Sequence, residues 1–334
     1  MDGFINETAE NRQLLCEHAQ ATLGLAPASI EKDFWVCWTL RELFSHPDYG
    51  AHLTFKGGTS LSKAWKLINR FSEDIDIVVD REFLGFGGET LNSKQQKKLI
   101  KKCSEWVNNE LKPALDSKFR SVLPAALNWS LEPASATEDS DQQTLLFNYP
   151  SAFGGNVGYV RQTVKIEMGA RSDIVPHEAT AIQSYLAQAL PNIFGSSTFN
   201  VRTVLARRTF WEKAMLLHEE TFRPAGKKRK ARLSRHYYDL WSLITKGVAT
   251  QAVADAELFD RVARHRKIFF RISWVDYTTL HRGSLRLVPP DDAAIEWRQD
   301  YKAMSTEMFF GEVPDFEEIM RVVGDFERNF NQGV

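Results

Sequence analysis

The chain has 334 residues, 43% of them hydrophobic and 25% charged, which indicates a soluble globular protein long enough for two ordinary domains. The formal net charge of -1 excludes a global positive field for nucleic acid, so any basic surface must be local. The polar first residues, the lack of an apolar run near the roughly 20 residues that cross a bilayer, and three widely spaced cysteines together predict a cytoplasmic protein.

The first predicted elements are an amphipathic helix over residues 30–44, with Ser29 as its expected N-cap, and a short apolar segment over residues 52–55. A glycine-rich turn follows at residues 56–60, and helical spacing resumes after it. Residues 72–79 alternate acidic and β-branched side chains, which predicts a strand.

A basic amphipathic helix is predicted over residues 93–119, and Pro113 is expected to kink or end it. Strand-like patches follow at residues 126–131, 144–149 and 159–168. The order of these elements indicates a mixed α/β arrangement in this half of the chain.

Helix is predicted again over residues 178–190, and from residue 203 onward the pattern is mainly helical. These patterns divide the chain into a mixed core, residues 1–195, and a helical C-terminal domain, residues 196–334. The predicted fold class is therefore α+β, with a mixed sheet flanked by helices in the first part.

Two acidic residues on the strand predicted at residues 72–79 are the first candidates for chemistry. Because side chains alternate across a strand, Asp74 and Asp76 share one face while Ile75 and Ile77 point to the core. Neighbouring carboxylates raise each other's pKa unless a cation lies between them, and their hard oxygens suit Mg²⁺. An exposed strand edge with alternating acids is the alternative interpretation.

The turn before this strand carries the sequence Lys56, Gly57, Gly58, Thr59, Ser60. Glycines let a backbone approach a ligand closely, and the start of the following helix offers free N–H groups to a phosphate. A tight strand-to-helix turn is the simpler explanation for this sequence. All five residues are candidates for nucleotide binding.

The glycine pair, the helix and the strand with two aspartates resemble the signature of the DNA polymerase β-like nucleotidyltransferase superfamily, with a somewhat longer spacer here. That resemblance implies a third acidic residue on a neighbouring strand, for which Glu167 is the candidate. Val164, Ile166 and Met168 alternate with Lys165 and Glu167, so an ordinary half-exposed strand face is the alternative. The implied role of Glu167 is to complete a two-metal site with Asp74 and Asp76 and to help deprotonate an attacking hydroxyl.

Several segments narrow the resemblance to the AbiEii/AbiGii nucleotidyltransferase toxins, which include the MenT enzymes. They are IEKDFWV at 30–36, FKGGTSLS at 55–62, RFSEDID at 70–76, RTFWEK at 208–213 and RHYYDL at 235–240. The resemblance covers about residues 30–245. It implies a phage-defence or toxin–antitoxin enzyme that moves a nucleotide from an NTP onto RNA, often the 3′ end of tRNA, and blocks translation. It also implies a cognate antitoxin and a helical domain that completes the cleft for nucleotide and acceptor.

Two further catalytic candidates follow from that resemblance. Lys213 corresponds to the family's motif lysine, which contacts nucleotide phosphates, and Asp239 corresponds to the aspartate of its last motif. A solvated helix lysine is the alternative for Lys213, and an ion pair with Arg235, one helical turn away, is the alternative for Asp239.

One dense positive region stands out in the nearly neutral chain. Its members are Arg202, Arg207, Arg208, Arg223, Lys227, Lys228, Arg229, Lys230, Arg232 and Arg235. A patch that binds RNA or triphosphate and an ordinary charged loop are both compatible with this composition. Three functions therefore stay open: transfer to RNA, transfer to a small molecule or a protein, and nucleotide binding without turnover.

Overall fold

The computed structural model describes residues 1–72, 74–88, 90–154, 161–195 and 197–333, apart from the side chains of residues 305–307. The chain divides into two compact units: Met1–Ala64 with Phe71–Val204, and Trp65–Arg70 with Leu205–Val334. The domain boundary predicted at residue 195 falls before a strand, Phe199–Val204, that joins the sheet of the first unit. The second unit also takes a short segment from the N-terminal half.

The helices of the first unit are α1 (Asp2–Ile5), α2 (Ala9–Leu23), α3 (Pro27–Phe44), α4 (Gly57–Lys63), α5 (Ser93–Trp106), α6 (Lys112–Val122), α7 (Tyr185–Ala189) and α8 (Pro191–Phe194). Its strands are β1 (Leu53–Lys56), β2 (Ile75–Val79), β3 (Ser130–Pro133), β4 (Thr144–Asn148), β5 (Thr163–Gly169), β6 (His177–Ile182) and β7 (Phe199–Val204). The predicted α+β fold class is confirmed by this mixture of sheet and flanking helices.

Within the described residues, the strands form one seven-stranded mixed sheet in the order β3-β4-β5-β2-β1-β7-β6. Strand β2 lies at its centre, antiparallel to β1 and parallel to β5. Strand β2 carries Asp76 and begins just after Asp74. It has a neighbouring strand on each side, so residues far apart in sequence lie next to Asp76. Glu73 and residues 159–160, which belong to predicted strands, lie outside the described residues.

Helix α3 is buried on nearly all sides and forms the aromatic core of the first unit. Trp38 stacks against Phe147 of β4 with ring centroids 5.6 Å apart. The predicted cap at Ser29 is wrong, because the helix begins earlier, with Ala26 as N-cap and Pro27 in its first turn. Proline presets the helical φ and lacks an N–H that the first turn would leave unpaired anyway.

The helix predicted over residues 93–119 is interrupted rather than kinked or ended at Pro113. Asn92 and Gln95 form a reciprocal capping box at its start. A π-helical turn at Val107–Leu111 then joins α5 to α6 just before the proline. Because a π turn rearranges the backbone hydrogen bonds, the chain accommodates a residue that has no N–H to donate.

The helix predicted over residues 178–190 is wrong in its first part. Residues His177–Ile182 form β6, which pairs antiparallel with β7 over six residues, and the helix begins only at Tyr185, capped by Ser184. Hydrogen bonds to β7 satisfy the backbone of this segment and outweigh its weak helical propensity. Only the second half of the predicted helix is confirmed.

The second unit is mainly helical. It contains α9 (Ala206–Glu220), α10 (Arg235–Thr245), α11 (Val248–Ala254), α12 (Ala256–Phe269), α13 (Asp291–Met308) and α14 (Phe316–Gln332). Its core includes an aromatic cluster in which Trp211 lies 4.9 Å from Phe259 and 5.1 Å from Phe330, measured between ring centroids. Among the described residues, none of the helices is both long and apolar enough to cross a membrane.

Candidate active site

The candidate site is built around two carboxylates on adjacent parallel strands. Asp76 of β2 pairs in register with Glu167 of β5, so their side chains lie next to each other on the same face of the sheet. The pKa of Asp76 is raised to about 7, and burial is the largest cause. The negative charges of Glu167 and Asp74 also raise this pKa, whereas the positive charge of Lys56 lowers it. Near neutral pH, Asp76 therefore changes between its protonated and ionised forms.

Gly57 holds the glycine turn directly against Asp76. The backbone of Gly57 has φ +80°, and a Cβ atom at this position would lie 1.9 Å from Oδ2 of Asp76. No L-residue fits there without displacing the carboxylate or the turn. The predicted proximity of the glycine turn and the paired aspartates is thus present in the first unit.

Lys56, the last residue of β1, adds positive charge to this face. It lies opposite Asp76 in the antiparallel pairing of β1 and β2, and its Nζ donates a hydrogen bond to Oγ of Ser172 at 2.9 Å. Its ammonium group partly offsets the effect of burial on the pKa of Asp76. Ser172 is a site neighbour that sequence reasoning missed, since no local pattern connects it to β1.

The hydroxyl groups of the glycine turn have structural roles. Thr59 is buried and its Oγ1 donates to the backbone carbonyl of Asp74, which ties the start of β2 to α4. Ser60 is also buried, and its Oγ donates to the carbonyl oxygen of Gly57 at 2.9 Å. The hydroxyl of Ser60 is thus engaged within the turn, whereas Gly57 and Gly58 are half-exposed.

Lys165 lies beside Glu167 on β5 and forms an ion pair with it. Although partial burial favours the neutral amine, the carboxylates of Glu167, Asp74 and Asp139 raise the pKa of Lys165. A cavity of about 190 Å³ opens next to this pair and is lined on its other sides by Asp139 and Arg171, among others. The sequence placed Lys165 on the same face as Glu167, but its interaction with the acid was not anticipated.

The donor chemistry of this face fits a divalent cation. Asp74, Asp76 and Glu167 supply only hard oxygen ligands. The pKa of Asp76 is raised first by burial and then by repulsion from Glu167 and Asp74, and a bound cation would relieve that repulsion. No group of three or more His, Cys, Asp or Glu side chains in the described part of the chain is yet arranged to hold a metal ion. Glu167 is engaged by its ion pair with Lys165.

Lys213 and Asp239 meet in the second unit, where Arg70 joins them. Nζ of Lys213 lies 2.7 Å from Oδ2 of Asp239, and Nε of Arg70 lies 2.7 Å from Oδ1 of the same carboxylate. All three side chains are buried. The ion-pair interpretation of Asp239 therefore holds, with Arg70 and Lys213 as partners in place of the predicted Arg235. Arg70 was missed as a member of this cluster, although it begins the segment with the paired aspartates.

Burial and the two neighbouring cations, Arg70 and Lys213, have opposite effects on the pKa of Asp239. Burial disfavours its charged form, but Arg70 and Lys213 together keep the pKa of Asp239 well below its usual range. Burial lowers the pKa of Lys213, and Arg70 adds to that effect, while Asp239 opposes it. Asp239 thus favours the charged form of Lys213, and its own oxygens contact the two cations.

The basic region divides into buried and exposed residues. The prediction of Arg208 as an RNA contact is wrong, because its side chain is fully buried and Nε lies 3.1 Å from a carboxylate oxygen of Glu212. Arg207 contacts Asp255, and Arg229 is mostly buried between Glu220 and Glu296. Exposed cations remain at Lys227, Lys228, Lys230 and Arg232, while Arg235 is half-buried.

A cavity of about 350 Å³ lies among the residues of this basic region, lined by Arg223, Lys227 and Lys228 on one side and by Asp292 and Glu296 on the other. Beyond these lining residues, the ring of Trp274 has Nζ of Lys227 at 3.7 Å from its centroid. The Lys227 ammonium therefore forms a cation–π contact with this ring.

Comparison with known proteins gives the family. A model of the nucleotidyl transferase AbiEii toxin family, described as a type IV toxin–antitoxin system, matches residues 38–322. MenT4, a nucleotidyltransferase toxin from Mycobacterium tuberculosis, shares 17% identity, with 96% of each chain covered and a TM-score of 0.44. JHP933 from Helicobacter pylori shares 14% identity, with 92% of this chain and 94% of that chain covered and a TM-score of 0.44.

A search of functionally curated proteins finds no matching sequence. The family model, by contrast, spans most of the chain, and the matched range includes Asp74, Asp76, Glu167, Lys213 and Asp239. The chain therefore belongs to the AbiEii nucleotidyltransferase toxin family and is an enzyme of that class.

Proposed function

We propose that the protein transfers a nucleoside monophosphate from an NTP to RNA, at the 3′ end of tRNA, in a Mg²⁺-dependent reaction that blocks translation. The observation that carries this proposal is the side-by-side placement of Asp76 and Glu167 against the backbone of Gly57. A nucleotidyltransferase needs acidic residues for its metal and an adjacent backbone that lets phosphates approach closely. In this chain Asp76 and Glu167 are neighbours on the sheet, and the backbone of Gly57 at the start of α4 lies against Asp76.

Asp74 and Asp76 are the proposed ligands for the nucleotide's Mg²⁺, with Glu167 completing the site. When bound, the cation would neutralise charge on the triphosphate and make the α-phosphorus more electrophilic. The half-exposed backbone at Gly57 and Gly58 would accept the phosphates, and Lys56 would add a cation beside them. Asp76 must be ionised to serve as a ligand, so its raised pKa makes the occupancy of this site pH-dependent.

Glu167 is the proposed base for the acceptor. A hydroxyl group of the acceptor loses its proton to the Glu167 carboxylate and forms a bond to the α-phosphorus, while the bond to the departing pyrophosphate breaks. The cavity beside Glu167 gives an acceptor access to this carboxylate. For Lys213 we propose the role implied by the family resemblance, contact with the nucleotide phosphates, and Asp239 favours that role because its negative charge opposes the loss of the amine's proton.

The exposed lysines of the basic region favour RNA over a small molecule or a protein as acceptor. Lys227, Lys228 and Lys230 form a short cationic stretch in a chain whose net charge is -1. Phosphate contacts from such residues supply sequence-independent affinity that weakens steeply with salt. We propose that these residues bind the acceptor RNA in the cytoplasm and that a cognate antitoxin, implied by the family, limits the activity.

The test is a matrix of labelled NTPs and acceptors. Purified protein is incubated with each α-labelled NTP, Mg²⁺ and total tRNA, or with total protein or small hydroxyl compounds in place of tRNA. We expect label on tRNA that depends on Mg²⁺ and disappears in the Asp76→Asn and Asp76→Ala variants. Label on another acceptor class would replace tRNA in the proposal, and no label with any acceptor would contradict nucleotide transfer.

The acceptor assignment has its own matched pair of variants. Replacing Lys227, Lys228 and Lys230 by glutamine should weaken tRNA binding and flatten its salt dependence. The control replaces Lys94, Lys97 and Lys98 of α5 by glutamine, which removes the same charge from another exposed surface. Equal behaviour of the two triple variants would contradict RNA binding by the basic region.

A further inference from the structure

Lys165 engages the acidic residue that completes the candidate metal site. Its Nζ forms an ion pair with Oε1 of Glu167, and both side chains are about one-third exposed, at 34% and 39%. The two residues alternate on β5, so both project from the same face of the sheet as Asp76. This lysine therefore lies among the carboxylates and not on the opposite surface.

The charged groups around Lys165 come from three parts of the first unit. Asp74 at the start of β2 and Asp139 in the loop before β4 attract its ammonium group, in addition to Glu167. Arg171 faces the same cavity and forms its own ion pair with Asp141. An excess of carboxylates surrounds Lys165, so its positive charge offsets part of the repulsion that would otherwise act across the site.

A carboxylate cannot give its oxygens fully to an ammonium group and to a divalent cation at the same time. The described acidic side chains are not arranged as a metal-binding group, while Glu167 is paired with Lys165. A divalent cation brings twice the charge of the ammonium and prefers the same hard oxygens. Entry of the cation must therefore repel Lys165 and release Glu167 from it.

We propose that Lys165 is a resident counter-ion of the acidic site: it holds Glu167 while no divalent cation is bound and yields that carboxylate when one enters. This inference rests on the proposed function, because it takes Asp74, Asp76 and Glu167 as the divalent-cation site. Lys165 is thus a positioning residue that competes with the cation and sets the affinity of the site for it.

The experiment measures binding of Mn²⁺ alone to the full chain by titration calorimetry, without nucleotide or acceptor. In Lys165→Met the cation no longer competes with an ammonium, so Mn²⁺ should bind about fivefold more tightly, the size expected for loss of one partly exposed ion pair. Lys165→Arg keeps the charge and should bind Mn²⁺ like the wild type or more weakly. Lys98→Met on α5 is the control for a lost positive charge at an exposed site.

Thermal unfolding separates this role from a purely structural one. In the presence of a chelator, Lys165→Met should unfold at a lower temperature than the wild type, and added Mn²⁺ should restore more stability to the variant than to the wild type. Lower stability with unchanged or weaker Mn²⁺ affinity would overturn the proposal and leave Lys165 a structural residue. An equal gain in affinity for Lys98→Met would also overturn it.

A second pair of variants distinguishes failure of the inference from failure of the proposed function. Asp76→Asn and Glu167→Gln should each weaken Mn²⁺ binding if the acids form the site. If they do so and Lys165→Met has no effect, only the counter-ion role is lost. If neither acid matters for Mn²⁺ binding, the site assignment itself fails.

Discussion

Gly57 lies directly against the carboxylate of Asp76: a Cβ atom added to the glycine would be 1.9 Å from Oδ2 of the aspartate. The turn after β1 and the acid on β2 therefore share one small space that only glycine leaves open. The antiparallel pairing of Lys56 with Asp76 brings the two strands into this register. Within the first unit, the position of the proposed phosphate-binding turn and that of the proposed metal ligand depend on each other.

The first prediction concerns this contact. Gly57→Ala should reduce nucleotide transfer by roughly a hundredfold or more, because a displaced carboxylate or turn no longer aligns the reacting groups. The left-handed φ of +80° adds a strain of about 1–2 kcal/mol for any L-residue. Steady-state transfer rates and denaturant unfolding measure the two effects.

The control is Gly87→Ala, where an added Cβ meets no atom within 4 Å and the backbone is not left-handed. This variant should keep the wild-type transfer rate and stability. A Gly57→Ala protein with wild-type activity would show that the close approach to Asp76 has no catalytic consequence.

The second prediction concerns pH and the metal. Burial and the negative charges of Glu167 and Asp74 raise the pKa of Asp76 from its ordinary value of 3.8 to about 7 in the folded chain. An acid with a raised pKa in the folded state contributes less stability as pH rises between these two values, because the folded chain must then release a proton that it binds more tightly. Without metal, the unfolding temperature should therefore fall as pH increases from about 4 to 7.

A divalent cation should reverse that trend, since it binds the ionised carboxylate and competes with the proton. The stabilisation by Mg²⁺ or Mn²⁺ should grow with pH up to about 7, the pKa of Asp76, and then level off. Thermal unfolding across this pH range, with metal and with chelator, checks both trends. The Asp76→Asn variant should show neither of these two trends in unfolding temperature. If its pH profile matched that of the wild type, a group other than Asp76 would be responsible for the pH dependence.

The third prediction concerns the buried cluster of the second unit. Asp239→Asn should lower the free energy of unfolding by about 3–5 kcal/mol, because Arg70 and Lys213 would both lose the carboxylate that compensates their burial. Chemical denaturation measures this loss. Transfer activity should fall as well, if Lys213 contacts the nucleotide phosphates as proposed.

The matched control for that variant is Asp255→Asn. Asp255 forms a half-exposed pair with Arg207 and caps α12, and asparagine caps a helix as well as aspartate does. Loss of the Asp255–Arg207 ion pair should lower the free energy of unfolding by less than about 1 kcal/mol. Similar costs for the two variants would show that the buried cluster contributes no more to stability than a surface pair.

The fourth prediction separates the buried and exposed members of the basic region. Arg208→Met should lower the free energy of unfolding by about 1–3 kcal/mol, because it removes a charge-assisted hydrogen bond to Glu212 inside the fold. The same variant should leave the salt dependence of RNA binding unchanged. Lys228→Met should show the opposite result, with little change in stability and a smaller salt slope. Salt titrations of tRNA binding and denaturation curves for both variants check this division, and a smaller salt slope for Arg208→Met would contradict it.

Local patterns along the chain were sufficient to predict the strand and the turn at the centre of the candidate site. The acidic and β-branched alternation predicted the strand that carries Asp76, and the glycine pair marked the turn that contacts this residue. That Asp74, which precedes the strand, shares the face of Asp76 stays a prediction. Each of these features involves only a few consecutive residues. The geometry of a strand or a tight turn therefore determines them, and no information about distant segments is needed. The family resemblance carried by the same short segments was also confirmed.

Pairing between distant segments decided the rest. Register between β2 and β5 brings Glu167 to Asp76 and, with it, Lys165 to the carboxylates. Arg70 meets Asp239 across 169 positions, in a cluster that the sequence had offered as a pair with Arg235. Pairing with β7 turned a predicted helix into β6, and packing buried Arg208. Sequence spacing specifies which face a side chain takes on its own element, but its partner depends on which elements pack together, and that is set by the total free energy of the folded chain.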